Sequence, residues 1–216
     1  MMDFLRQLDL VQPEALETPV AVVGCGGIGS FAALALAKMG CQNLTLYDGD
    51  KVEEHNLPNQ LYRSSDVGRP KAEALAEIVR TFTEAAARPV PARVEGQRLA
   101  GIVVAGVDSM RARRAIWQRS VRYRASVPLF LDGRLGAEVI RLYAVRPADP
   151  DDVRFYGATL YDDAEAEPLG CSAGAIVYTG FAVASLIANQ VKRFATGEPL
   201  CRETLWDLKT LTLVAG

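Results

Sequence analysis

No two of the four cysteines, Cys25, Cys41, Cys171 and Cys201, stand as a C-x-x-C pair, and a single histidine, His55, accompanies them. Paired thiolates are what a structural zinc site or a redox dithiol needs, so no zinc is expected, and scattered thiols suit a reducing cytoplasm. Charge of one sign is also missing. Lysine and arginine number 24 against 26 acidic residues, for a formal charge of −2, which removes the global electrostatic case for nucleic acid. The opening stretch MMDFLRQLDLVQPEALE carries charges throughout and lacks the apolar core of a signal peptide. One uncharged run exists, Pro168 to Val191, but Ser172, Thr179, Ser185, Asn189 and Gln190 interrupt it. Its small residues suit a helix buried in protein rather than a span of ~20 apolar residues, so no membrane partner is expected.

What is there reads as one globular unit. Hydrophobic residues make up 50% and charged residues 23%. That balance is globular, and at ~100–200 residues per domain the range 1–216 is one domain with 1–18 as an N-terminal arm. PVAVVG (19–24) is an apolar β-branched run ending in glycine, and FAALALAKMG (31–40) then reads as a helix closed by Gly40. NLTLYD (43–48) comes next as a strand, Lys71 to Phe82 as a helix, GIVVAGVD (101–108) as a buried strand, 111–123 as a helix and PLFLDG (128–133) as a strand. Alternation of this kind predicts an α/β fold, Rossmann-like and doubly wound, with a mostly parallel sheet covered on both faces. EVIRLYAV (138–145) comes without an intervening helix and predicts an antiparallel strand. After it the sequence predicts an acidic loop over 149–170, the long uncharged helix, and a terminal strand in LWDLKTLTLVAG (205–216).

GCGGIGS, Gly24 to Ser30, places Gly24, Gly26, Gly27 and Gly29 in the G-x-G-x-x-G pattern, which lets backbone approach a pyrophosphate at a helix N-terminus. Asp48 lies about 20 residues further on, where a carboxylate meets a ribose hydroxyl in this architecture. A nicotinamide dehydrogenase shares both features but does not account for two stretches further along the chain, YDGDKVEEHNLPNQ (47–60) and DVGRPKAEAL (66–75). The order D-x-D, Val, N-L-x-x-Q, G-x-P-K-A resembles the ubiquitin-activating-like adenylyltransferases, the ThiF/MoeB family, and GVDSMRAR (106–113) is similar to that family's D-x-x-x-x-R. The motifs run from Val20 to Arg113, and a weaker similarity continues to residue 197.

The resemblance implies adenylation: ATP, with Mg²⁺, and the C-terminal glycine carboxylate of a ubiquitin-like protein or peptide give an acyl-adenylate and pyrophosphate. A carboxylate is already a nucleophile, so the lone His55 is no obstacle. Matched motif by motif, Asp48 holds the ribose hydroxyls, Asp50 adds a ribose or metal contact, Asn56 sits on the phosphates, Lys71 neutralises them from a helix N-terminus, and Asp108 ligates Mg²⁺. Each also has a plainer reading: a strand-end turn acid, a solvated loop acid, a self-capping asparagine, a surface lysine and a helix N-cap. Where the family carries a phosphate-contacting arginine, in N-L-x-R-Q, this chain has Asn59, and Arg63 or Arg69 is the expected substitute. In ThiF/MoeB homodimers an N-terminal arm reaches the partner's nucleotide. FLRQLDL (4–10) is similar, with Arg6 as the reaching residue or else part of a solvated helix.

LGCSAGAIVYTG (169–180) sets Cys171 before the uncharged helix, similar to the cysteine-then-helix element of compact activating enzymes in which that cysteine forms a thioester. A helix start favours a thiolate; the other reading is a small buried hydrophobe. Cys25 and Cys41 are expected to be structural. The six arginines between Arg111 and Arg124 are expected to form a solvated helix face, suited to an acidic partner, rather than a nucleic-acid patch. Two other functions stay open: an adenylating or dehydrating enzyme acting on tRNA, and a catalytically silent ATP-binding scaffold or heterodimer subunit, motivated by Asn59.

Overall fold

The computed structural model describes residues 2–161 and 176–216. Eight strands form one sheet: β1 (Val20–Val23), β2 (Asn43–Tyr47), β3 (Ala86–Val90), β4 (Ile102–Ala105), β5 (Phe130–Gly136), β6 (Val139–Val145), β7 (Glu203–Asp207) and β8 (Thr212–Ala215). Their spatial order is β3-β2-β1-β4-β5-β6-β7-β8. The first five pair in parallel, and β5 through β8 are antiparallel, as the missing helix before Val139 predicts.

Both faces of the parallel part are covered, and β1 shows why its sequence is apolar without alternation. Val20 and Val22 enter one core cluster, with Phe31 and Leu36 of α1 (Gly29–Met39), Leu75 of α2 (Lys71–Phe82) and Val183 of α5 (Val177–Ala195). Ala21 and Val23 enter the other, with Ile116 of α3 (Met110–Ile116) and Tyr156 of α4 (Pro150–Gly157). A strand buried on both faces has no polar side to show. Trp117, Phe130 and Tyr156 meet ring to ring in the second cluster, at centroid separations of 4.6 to 5.5 Å. After α3 the chain continues as a π-helical turn, Trp117–Val121.

Three expectations change. The acidic loop over 149–170 contains α4: Asp149 accepts hydrogen bonds from the amides of Asp151 and Asp152, and Pro150 takes the first helical position, so the acids cap a helix instead of solvating a loop. The terminal strand is a hairpin, β7 and β8, whose turn is closed by Asp207 Oδ1 accepting from Lys209 and Thr210. Ala86–Val90, which reads as no strand, forms the edge strand β3, where Pro89 and an exposed backbone edge are tolerated. The uncharged helix runs, among the described residues, from Val177 to Ala195 and ends on Lys192 and Arg193. Among the described residues no helix is long and apolar enough to cross a membrane.

Candidate active site

The carboxyl ends of β1, β2 and β4 meet where the strand order turns outward on both sides of β1, the place at which open α/β sheets bind ligands. Gly24 leaves β1 at φ +90°, and a Cβ there would lie 2.8 Å from the carbonyl oxygen of Gly106; a Cβ at Gly29 would overlap the carbonyl of Gly24. The loop therefore folds back on itself only as glycine. Gly26 and Gly27 face the 59–60 segment: a Cβ at Gly26 would meet Gln60 Nε2 at an ordinary 3.9 Å, and one at Gly27 would crowd Asn59 O at 3.3 Å. No side chain caps the N-terminus of α1; the Ser30 amide donates back to the Gly26 carbonyl at 3.0 Å, and the helix start otherwise faces the glycine loop, a place that favours an anion. Gly180 brings α5 against this loop, since a Cβ there would fall 2.8 Å from the carbonyl oxygen of Gly27.

Asp48 is buried, accepting from the Cys25 amide at 2.7 Å and from the Asp50 amide at 2.8 Å. It is thus a turn acid that also ties the end of β2 to the glycine loop. Asp50 is engaged: Arg93 Nη2 donates to it at 2.9 Å. Lys71 begins α2 beside the loop. Its amide donates to the Asp50 carbonyl at 2.9 Å, and its side chain is buried, so it is no ordinary surface lysine. Among the described residues its ammonium has no hydrogen-bond or ion-pair partner. The Tyr62 hydroxyl donates to Cys25 O at 2.6 Å and reaches Lys71 O at 3.4 Å, locking loop and helix start together. Burial first, and then Asp48, push the Cys25 thiol well above the ordinary range, with Lys71 opposing. Burial alone pushes Cys41 up to about 12. Both thiols are therefore poor nucleophiles.

Asp108 stands exposed just past β4. It does not cap α3; Ser109 does, accepting from the Ala112 amide at 3.3 Å. Asn56 is buried and caps its own turn, its Oδ1 accepting from the Glu53 amide at 2.9 Å, so the plainer reading holds for that atom. Asn59 Oδ1 and Gln60 Oε1, beside the glycine loop, are buried without a hydrogen-bond partner among the described residues.

The expected substitutes for the missing arginine are occupied. Arg63 donates to both oxygens of fully buried Asp66, each at 2.9 Å, and to Glu77 at 2.7 Å; Arg69 donates to Asp66 at 2.8 Å and to Glu77 at 2.7 Å. Burial opposes the Asp66 charge, but the Arg63 and Arg69 contacts outweigh it and hold the carboxyl below its usual range. Arg6 is not brought to the site of its own chain. Gln7 donates to the Met39 carbonyl at 2.6 Å, which pins the arm to the end of α1 opposite the glycine loop. Cys171 lies outside the described residues.

Sequence reasoning missed a buried ionic cluster inside β5. Asp132, fully buried, accepts from Arg113 Nε at 2.9 Å, Arg134 Nε at 2.7 Å and the Tyr156 hydroxyl at 3.0 Å. Arg113 also reaches the Gly133 carbonyl at 2.9 Å, and Arg134 holds Thr159 through its carbonyl and hydroxyl, both at 3.0 Å. Arg113, the arginine of the D-x-x-x-x-R pattern, is thus buried, whereas Arg111, Arg119, Arg122 and Arg124 are exposed as a solvated face requires. The available signal was a lone acid and arginine, D-G-R, closing an otherwise apolar strand. Arg93 gave no signal, since it stands in an irregular connection.

Fold and site together define an α/β protein of the doubly wound class with a glycine-rich loop at the carboxyl edge of its sheet. The chain belongs to the ThiF family, whose profile matches residues 4–213. It is similar to the SAMP-activating enzyme E1 of Haloferax volcanii, 41% identical over 107 residues that make up 47% of this chain and 39% of that protein. It is also similar to the molybdopterin-synthase adenylyltransferase of Escherichia coli, 38% identical over 102 residues, 46% of this chain and 41% of that one. The chain thus matches less than half the length of these relatives. The crystal structure of E. coli MccB with ATP superposes at a TM-score of 0.72 and 16% identity, covering 94% of this chain and 65% of that one, which establishes the likeness of fold.

Proposed function

We propose that this chain adenylates the C-terminal carboxylate of a small ubiquitin-like protein or peptide ending in glycine. The observation that carries the reading is the convergence, at one sheet edge, of an uncapped helix start, a buried acid at the end of β2, a buried lysine without a partner among the described residues and an exposed strand-end acid. The names of the relatives, an activating enzyme and an adenylyltransferase, support it. In the reaction a carboxylate oxygen attacks the α-phosphorus of ATP, a P–O bond forms, the bond to the bridging oxygen breaks, and pyrophosphate leaves with that electron pair. No proton has to be removed. The barrier is charge crowding, which fixed cations and helix amides relieve. Lys71 and the α1 amides serve the phosphates, and Asp48 the ribose. A single exposed carboxylate such as Asp108 fits Mg²⁺, which takes one or two carboxylates together with substrate phosphates; when bound, the ion would neutralise the triphosphate there.

Calorimetry with Mg²⁺ tests the nucleotide. ATP is expected to bind and NAD to bind weakly or not at all, because Lys71 and Asp108 suit a triphosphate; tight NAD binding without ATP binding would end the adenylation reading. A cytoplasmic homodimer is the proposed working form. Its support is the arm: Arg6 sits away from its own glycine loop, so contact with a nucleotide requires a second copy.

A catalytically silent scaffold is the second reading, and the capture of Arg63 and Arg69 by Asp66 and Glu77 favours it, because neither then replaces the arginine absent at Asn59. ATP binding without pyrophosphate exchange in the presence of substrate would select it. For the step after adenylation we propose that the Cys171 thiolate attacks the acyl carbon, AMP leaves and a thioester forms. Incubation with ATP and substrate is expected to give a covalent adduct that thiols release, and Cys171→Ser should keep exchange but lose the thiol-labile adduct. An adduct unchanged in Cys171→Ser means that another residue carries the acyl group, and none despite brisk exchange means that the adenylate passes to an external acceptor.

A further inference from the structure

Arg93 belongs to none of the sequence motifs, yet it stands at the mouth of the site. Its guanidinium donates to Asp50 at 2.9 Å, and the charges of Asp108 and Asp48 also raise its pKa, after the Asp50 hydrogen bond and charge. One carboxylate, Asp50, thus pairs with the guanidinium directly, and Asp48 and Asp108 add negative charge to the same mouth. The placement is built. A Cβ at Gly49 would lie 3.0 Å from Arg93 Cγ, so the bare backbone after Asp48 is what lets the arginine stem lie flat across it. The Arg93 carbonyl accepts from Gln97 Nε2 at 2.8 Å, which fixes the connection on which it rides. The side chain is nonetheless 71% exposed, and a surface pair with Asp50 contributes little to stability. The contact orients the arginine more than it holds the fold.

A nucleotide laid on this edge has its parts assigned in order. If the α1 N-terminus and Lys71 take the phosphates and Asp48 takes the ribose, the base must project beyond β2, toward the 91–101 connection and Gly49. Arg93 is the side chain that stands there, with a planar face. Guanidinium planes stack on aromatic faces and interact with their π-electrons, whereas an ammonium lacks the matching plane.

We propose that Arg93 forms the outer wall of a purine pocket and stacks on the base of bound ATP, making it a specificity-determining residue of the adenylation site. The inference rests on the adenylation reading for the position of the phosphates and ribose. Because Asp50 aligns Arg93, Asp50 acts here through the arginine and not as a metal ligand.

The experiment is calorimetric titration of the full chain with ATP and with CTP in the presence of Mg²⁺, for wild type, Arg93→Ala and Arg93→Lys, with thermal unfolding as the control for folding. Wild type is expected to prefer ATP. Arg93→Ala should weaken ATP about tenfold, within the range of a partly desolvated cation–π contact, and change CTP far less. Arg93→Lys should fail to restore ATP affinity. Unchanged ATP binding in Arg93→Ala overturns the proposal and leaves adenylation standing. Full rescue by Arg93→Lys, or equal losses for both nucleotides, overturns stacking in favour of a simple charge effect. Failure of wild type to bind ATP at all overturns the adenylation reading itself, and this proposal with it.

Discussion

Asp108→Ala is expected to lower exchange of labelled pyrophosphate into ATP by about a hundredfold or more, measured with the true substrate present. One charge-stabilising contact at a reacting centre is worth ~3–4 kcal/mol, and each 1.36 kcal/mol is roughly tenfold in rate. The fold should not notice the change. Asp108 is exposed and Ser109 supplies the helix cap, so alanine at position 108 removes no cap and leaves no buried group unpaired. Surface changes of this kind stay within about 0.5 kcal/mol, and the unfolding temperature should move by no more than about 2 °C. Lys71→Ala is expected to reduce exchange on the same scale, though its buried stem adds a packing loss that Asp108→Ala avoids. Near-normal exchange in Asp108→Ala would show that the metal is held elsewhere.

Asp132→Ala should do the reverse, acting first on stability. The carboxylate is fully buried and serves Arg113, Arg134 and Tyr156 together. Removing one partner from a buried ion cluster costs about 3–5 kcal/mol, because the remaining charges stay desolvated. The lower end applies, since Arg113 keeps the Gly133 carbonyl and Arg134 keeps Thr159. At ~2–4 °C per kcal/mol for a chain of this size, the unfolding temperature should fall by roughly 10 °C. Differential scanning calorimetry checks it. A fall of less than about 2 °C would mean that water or a neighbouring group replaces the acceptor, and that the cluster is not a structural keystone of β5.

The cluster is assembled by tertiary structure more than by local sequence. Asp132 and Arg134 are neighbours within β5, but Arg113 and Tyr156 come from the helix after β4 and from α4, 19 and 24 residues from Asp132, and no local pattern links those two to the strand. The Asp149-Pro150 start of α4 was legible in principle, as a cap followed by a proline, but the acidic composition around it pointed to a loop. β3 was hidden for a different reason: Ala86–Val90 has neither alternation nor an apolar run, and an edge strand is defined by the neighbour it pairs with.

The glycine loop, the acid ending β2, the helix beginning at Lys71 and the parallel-then-antiparallel order of the sheet were determined by the sequence itself. Each is encoded by spacing within a short stretch: glycine where the loop must meet its own backbone, apolar runs where strands are buried on both faces, and a strand without a preceding helix where direction reverses. Only the tertiary structure decided which polar groups are free for a ligand. Arg63 and Arg69 are drawn to Asp66 and Glu77, Asn56 turns back on Glu53, Arg93 arrives beside Asp50, and Lys71 is left without a partner among the described residues. The physical reason is that a charged side chain takes the nearest counter-charge in space, and that distance is set by how separate loops meet at the edge of the sheet.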